Sequence, residues 1–410
     1  METKIKKNII LKLFRFVLLF EILWGAHAWF TWWIDDNKIY KLAIYAIIAF
    51  IAFIYKKKAN IHFRDNAYII LGSMAYIMAF TLISSFSFSS LITSIVCLYP
   101  ILVTIYDRNN CEGHIAFITK GLAYILVPSI ILYIVSTYYL IPGFIIANSS
   151  SEKYLFINNI FLLQRVYIED IAEARFHSIF LEPGYLGTML SFILYANNYN
   201  FKKKYNYIIL ISLIATVSLA GYIITFIGYI TYLISTWKNL KKIFVFSIFI
   251  ICTYFVAINH NQGDNIINKG IIERLQYDEE KGISGNNRTG AGTDFYYNQA
   301  MKNGDIWFGL GAERVRQING GSSDTAGYDE NIRGAGYKVF FVKNGIISAI
   351  IFLFFYLLFA NNKKGHRMYK MGFVFIIILT FIQAAYPLSA SWIYPFVLGI
   401  NNINNPKTPT

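Results

Sequence analysis

Apolar runs close to the ~20 residues that cross a bilayer follow one another along this chain, separated by short polar breaks. They fall at 14–34, 39–55, 67–84, 88–106, 115–141, 183–199, 205–218, 221–236, 243–258, 338–360, 369–384 and 386–400. This pattern predicts an all-α integral membrane protein of about twelve transmembrane helices, with residues 1–410 forming one polytopic domain. Two long segments break the rhythm, 142–182 and 259–337. The second is rich in Gly and Asn. It carries Arg274, Arg288, Arg314, Arg316 and Arg333 together with aromatic anchors such as Tyr296, Tyr297, Trp307 and Phe308. That mixture predicts a folded loop rather than a plain linker.

The lysine clusters orient the spans. Lys4/Lys6/Lys7, Lys56/Lys57/Lys58, Lys202/Lys203/Lys204, Lys238/Lys241/Lys242 and Lys363/Lys364/Arg367 separate the apolar runs. With about twelve spans and a cytoplasmic N-terminus, all of them fall inside the cell, as the positive-inside rule requires. Both termini are then cytoplasmic, and 142–182 and 259–337 face outward. The same rule splits 205–236 into two crossings of about 15 residues that turn near Ser218 to Gly221. Crossings that short predict a turn sunk toward a cavity.

Composition agrees: the chain is 56% hydrophobic and only 15% charged, which excludes an ordinary soluble domain. The net charge of +14 does not point to nucleic acid, because the lysines sit between apolar runs and no zinc-finger spacing occurs. Cys97, Cys111 and Cys252 are the three cysteines, and none lies in a long loop. Neither a disulfide framework nor a cysteine–zinc site follows. No metal site and no cofactor are expected. The N-terminal Lys-rich stretch and apolar run also suit a signal peptide, with Ala26-His27-Ala28 at the cleavage position. Glu21 inside the run and bulky Trp24 and Trp29 favour an uncleaved first span.

Candidate chemistry gathers in the two long segments. The first ends Arg175-Phe176-His177-Ser178-Ile179-Phe180-Leu181-Glu182-Pro183-Gly184. Pro183 suits the first turn of the next helix, which puts Glu182 at or beside its N-cap. A carboxylate there offsets the helix dipole by about 0.3–1 kcal/mol; at a span mouth it is also the right type of group for a general base. In the second segment Arg288-Thr289 precedes a helix-like run at 294–302 and then Trp307-Phe308-Gly309-Leu310-Gly311. The glycines allow a tight turn or a close backbone approach. Arg288 equally suits a structural ion pair. Glu21 and His27 are read as groups paired within the bundle.

These residues resemble the O-antigen polymerase and O-antigen ligase superfamily of bacterial membrane glycosyltransferases. The resemblance covers most of the chain as an order of spans and loops. As motif it covers Arg175 to Gly187, and Arg288 through Phe308-Gly309-Leu310-Gly311 to the span start at Gly336–Gly345. It implies a glycosyltransferase C-like membrane fold in the bacterial plasma membrane. Arg175 and Arg288 would hold the pyrophosphate of a polyprenyl-linked oligosaccharide, with Arg314 and Arg333 as secondary contacts. Glu182 or His177 would be the base, Glu182 being the first choice. Ligases of this superfamily place a histidine before the span that follows the large loop; here Arg333-Gly334-Ala335-Gly336 stands there. That favours a polymerase of polyprenyl-pyrophosphate-linked repeat units on the outer face, making an O-antigen or a capsule.

The chemistry fits the residue types. Guanidinium groups stay charged and pair bidentately with phosphate oxygens, and no Asp-x-Asp pair is present to clamp a metal–nucleotide sugar. Besides the lipid-linked glycan and the bilayer, a chain-length regulator is a candidate partner. The alternatives are a ligase that moves finished polymer to a lipid or protein, and a transporter or flippase of the lipid-linked sugar. A transporter would spread its polar residues along several central spans and on both faces.

Overall fold

The computed structural model describes residues 2–63, 67–78, 88–139, 141–147, 155–167, 175–235, 291–320, 336–361, 367–383 and 389–403, with isolated positions between 248 and 283 and Ile332. Much of the run at 243–258 lies outside these residues. The protein is mostly helical. Among the described residues three helical segments are long and apolar enough to cross a membrane: Ile39–Ala59, Cys111–Tyr138 and Tyr337–Ala360. Shorter apolar helices are Leu91–Tyr106, Lys204–Ala215 and Leu219–Ser235.

The chain divides into two compact units. One comprises Met1–Phe63, Tyr99–Tyr232 and Leu388–Thr410; the other comprises Arg64–Leu98 and Leu233–Pro387. In chain order the helices are α1 (Glu2–Gly25), α2 (Trp32–Asp36), α3 (Lys38–Ala59), α4 (Ala67–Met78), α5 (Phe88–Tyr106), α6 (Cys111–Tyr138), α7 (Pro183–Ala196), α8 (Lys204–Ala215) and α9 (Leu219–Ser235). They continue with α10 (Ala291–Asn303), α11 (Gly311–Gly320), α12 (Tyr337–Asn361), α13 (Arg367–Gln383) and α14 (Ala390–Ile403).

In the first unit α7 is enclosed: every residue from Leu186 to Ala196 is buried. A helix that is apolar all round has to be enclosed on all sides. Phe192 meets Trp392 of α14, and Asn197 Nδ2 donates to Thr119 Oγ1 of α6 at 2.9 Å. α1 packs on α3 through Phe14 stacked on Tyr55 and Trp24 stacked on Tyr45. It meets α14 where Tyr394 donates to buried Glu21 at 2.6 Å. An ionisable group inside an apolar bundle is expected to find such a partner.

Two expectations change here. The first apolar run, 14–34, is not one helix. α1 stops at Gly25 in a Schellman cap, with His27 N donating to Trp24 O at 2.9 Å and Ala28 N to Leu23 O at 3.1 Å; a Cβ on Gly25 would stand 2.8–2.9 Å from the backbone nitrogens of Ser391 and Ala390 at the start of α14. His27 then takes a positive φ of 57° and the chain turns away. The second change concerns the outer segment 142–182, part of a fold expected to be all-α. It holds a three-stranded antiparallel sheet of β1 (Phe144–Ala147), β2 (Leu155–Asn159) and β3 (Leu163–Tyr167), in the order β1-β2-β3. Phe144 pairs with Asn158, and Asn158 with Gln164.

The split of 205–236 is found as expected. α8 ends at Ala215 and α9 begins at Leu219, with Val217 between them at a positive φ of 46°. In the second unit α12 packs on α4 and α13, where Phe355 meets Tyr76 and Phe352 meets Phe381. α12 is interrupted at Gly345, whose φ of 80° and ψ of 163° lie outside the helical region.

Candidate functional site

The first candidate residues stand on the end of the buried central helix. Pro183 occupies the first turn of α7, and Glu182 is its N-cap with extended backbone angles, φ −143° and ψ 151°. The Glu182 side chain makes no capping hydrogen bond and is exposed. It lies at the positive end of the helix dipole, so its carboxylate faces outward with its acceptor oxygens uncommitted to the helix.

The residues just before it are anchored to the chain that leaves α1. Trp29 N donates to Ile179 O at 2.9 Å, Leu181 N donates to His27 O at 3.1 Å, and Ala28 bridges Phe180 in antiparallel fashion. Gln164 N of β3 donates to Ser178 O at 2.7 Å. Segment 177–181 is thus held between the sheet and residues 27–29. Ser178 takes a positive φ of 53° to make the turn. His177 is buried inside it, and its Nδ1 lies 2.5 Å from Phe180 O. A carbonyl only accepts, so Nδ1 carries the proton. Burial pushes the His177 imidazolium down from 6.5 to about 4; the Phe180 carbonyl opposes this and the charge of Arg175 adds to it. His177 is therefore neutral at neutral pH and enclosed. It positions the turn, whereas Glu182 is the exposed carboxylate.

Arg175 is half-buried and reaches the α8–α9 turn. Its Nε donates to Thr216 O at 3.3 Å and its Nη2 to Val217 O at 2.6 Å. These are C-terminal carbonyls of α8, which attract a cation. The turn itself is closed by Ser218, whose Oγ accepts from Gly221 N at 3.3 Å and whose carbonyl accepts from Tyr222 N at 2.9 Å. Gly221 then lies against α7: a Cβ on it would meet the Cα and carbonyl carbon of Gly187 at 3.0 Å. Ser191 Oγ completes the contact by donating to Gly187 O at 2.7 Å, with Gly221 O at 2.9 Å. Arg175, the 216–221 turn and α7 at Gly187 and Ser191 are therefore tied together, in the same unit as Glu182.

Beside this site the sheet presents a polar patch that the sequence did not announce. Asn158 and Gln164 are register partners on one sheet face and are 0% and 1% exposed. Among the described residues, both atoms of each side-chain amide and Ser178 Oγ have no hydrogen-bond partner. Leaving a buried donor or acceptor unmatched costs roughly 1–3 kcal/mol.

In the second unit Gly309 and Gly345 approach backbone to backbone. A Cβ on Gly309 would lie 2.6 Å from Gly345 N, and one on Gly345 would lie 2.4 Å from Trp307 O. Both have positive φ, and Leu310 N donates to Val342 O at 2.7 Å. The close approach expected of Gly309 is found. Lys338 of α12 pairs with Asp294 of α10 at 2.6 Å. Arg314 is exposed on α11. Arg288 and Arg333 lie outside the described residues.

A second buried polar cluster lies at the opposite end of α6 from the sheet. Asp107 Oδ2 is 2.8 Å from His114 Nε2, Asn110 Nδ2 donates to Asp107 Oδ1 at 2.9 Å, and Tyr55 donates to Asp107. Burial alone would raise the Asp107 carboxyl, but His114, Tyr55 and Asn110 together hold it below the usual range. The seven-residue step from Asp107 to His114 was visible in the sequence; the contribution of Tyr55 needed the fold. Among the described residues no group of three or more His, Cys, Asp or Glu is placed to hold a metal ion. No protein-family model, curated protein or solved structure matches the chain.

Proposed function

We propose that this chain is a membrane glycosyltransferase that polymerises polyprenyl-pyrophosphate-linked oligosaccharide repeat units on the outer face of a bacterial plasma membrane. The reading includes about twelve spans with both termini cytoplasmic. The observation that carries it is the site at the mouth of α7. There an exposed carboxylate caps the N-terminus of α7, and in the same unit an arginine is held against the tight α8–α9 turn that packs on α7.

The roles follow from charge. Breaking a sugar–pyrophosphate bond develops negative charge on the leaving phosphate, and Arg175 supplies fixed positive charge at that place. Arg288 would supply a second guanidinium from the 259–337 loop, since one cannot satisfy all the oxygens of a pyrophosphate. Glu182 takes the proton from the acceptor hydroxyl.

The competing reading of Arg175 is structural, a cation on the last carbonyls of α8. That role is worth about 0.3–1 kcal/mol, whereas loss of a charge-stabilising donor costs about 2.7–4 kcal/mol in the barrier, or roughly 10²–10³ in rate. A deletion strain read by surface-polysaccharide gel tests the function. Loss of long chains with single-unit product retained supports a polymerase. Loss of every attached sugar means a ligase or a flippase instead.

A further inference from the structure

The β2–β3 hairpin closes through residues that such a turn does not favour. Leu162 N donates to Asn159 O at 3.2 Å, and the two residues between them, Ile160 and Phe161, have φ of 52° and 60°. Positive φ at both central positions is the pattern of a type I′ turn, which Asn-Gly or Asp-Gly normally supplies. For a β-branched residue such as Ile it is a genuine outlier. Packing inside the protein does not offset the strain, because Ile160 is 55% exposed and Phe161 60% exposed. Strain that persists at an exposed position calls for a role outside the fold.

The tip is nevertheless fixed in place. Trp29 Nε1 donates to Phe161 O at 3.2 Å, and the Phe161 ring lies 5.8 Å from Trp29 and 5.1 Å from Phe144. Its surface continues that of α6, a 28-residue helix apolar enough to cross a membrane. On α6, Tyr124, Ile131, Ile134 and Tyr138 are exposed at helical spacing. Such a stripe on a crossing helix faces lipid. It runs to Tyr138 and Tyr139, both at least 72% exposed, and on to exposed Phe144 and Ile145 of β1. No charged residue occurs between Lys120 and Glu152. Aromatic side chains at the end of a crossing helix belong to the membrane–water boundary.

We propose that the β2–β3 tip, Ile160 and Phe161, together with Phe144 and Ile145, is seated in the bilayer at the leaflet where α6 ends. Its occupant is the boundary between lipid headgroups and acyl chains. The hairpin thereby fixes the height of the sheet above the membrane. This inference rests on the continuity of the apolar surface and not on the activity proposed above.

The test uses the full chain in lipid nanodiscs, with native cysteines replaced by serine and one cysteine placed by Phe161→Cys, Ile160→Cys or Ile145→Cys, each labelled with bimane. Lys202→Cys is the water-exposed control and Ile134→Cys the lipid control. Lipids spin-labelled at the fifth acyl carbon should quench the hairpin probes at least twofold more than the Lys202 probe. Aqueous iodide should quench them at least twofold less. Iodide quenching equal to that of Lys202→Cys, without quenching by the lipids, would overturn the proposal. Quenching by the labelled lipids that appears only after a polyprenyl phosphate is added would overturn it too, since the occupant would then be that chain. Three single-site probes keep the test decisive if one variant fails to fold.

Discussion

Buried His177 makes the fold sensitive to acid in a window that can be worked out. Its folded-state pKa, about 4, lies below its ordinary value of 6.5. Between these values the unfolded chain binds a proton that the folded chain excludes. Stability therefore falls as the pH drops from about 6.5 toward 4, and it is unaffected by this residue above that window. At about 1.36 kcal/mol for each pH unit, the gap is worth roughly 3 kcal/mol. That is a large part of what holds a typical domain together. The matching perturbation is His177→Asn, whose side-chain amide can keep donating to Phe180 O while removing the titration. Thermal unfolding in nanodiscs from pH 7.5 to 4.5 should show the wild-type midpoint falling more steeply than that of the variant. Parallel pH dependences would refute the reasoning and mean that His177 is not held neutral by the fold.

Three further outcomes are expected. Gly221→Leu should lower the product of surface polysaccharide assembly while leaving membrane insertion intact, because any Cβ there meets the Gly187 backbone at 3.0 Å and overpacking costs about 1–3 kcal/mol; normal polymer would make the turn a mere connector. Gly345→Ala should destabilise by about 3 kcal/mol or more, adding a left-handed backbone penalty to a Cβ placed 2.4 Å from Trp307 O; an unchanged melting midpoint would contradict the close approach. Impermeant thiol reagents on intact cells should label Gln317→Cys and not Lys203→Cys, and the reverse pattern would overturn the orientation.

Sequence patterning reached the parts of the fold that local rules govern. The break between α8 and α9 followed from keeping two lysine clusters on one side, and the Glu182-Pro183 helix start followed from proline chemistry. What the sequence left open depended on distant contacts. α1 ends within an unbroken apolar run in a cap that needs His27 at positive φ, and Gly25 beside it is required by α14, more than 360 residues later, which approaches too closely for a side chain. The three-stranded sheet escaped notice because Leu155 to Tyr167 has no clean alternation and its turn carries Ile-Phe instead of Asn-Gly. Asn158, Gln164 and Ser178 were likewise invisible as a group, since strand register and a return from 178 bring them together. Arg175 was chosen from the sequence for its motif and its charge, and its partners, the carbonyls of 216 and 217, needed the fold. Arg288 lies outside the described residues.

The most direct measurement is polymerisation by the purified chain in proteoliposomes supplied with a polyprenyl-pyrophosphate-linked repeat unit, read as a ladder on a gel. Wild-type protein should extend the ladder. Arg175→Lys and Arg288→Lys should each lose roughly 10²–10³ in rate, because lysine keeps the charge but loses the planar fork. Glu182→Gln should stop turnover while still retaining the lipid-linked donor. Arg316→Lys should lose little. Melting midpoints within a few degrees of wild type would separate these losses from unfolding. Near-normal ladders from both arginine variants at matched protein levels would contradict the assignment and return Arg175 to a helix-capping role.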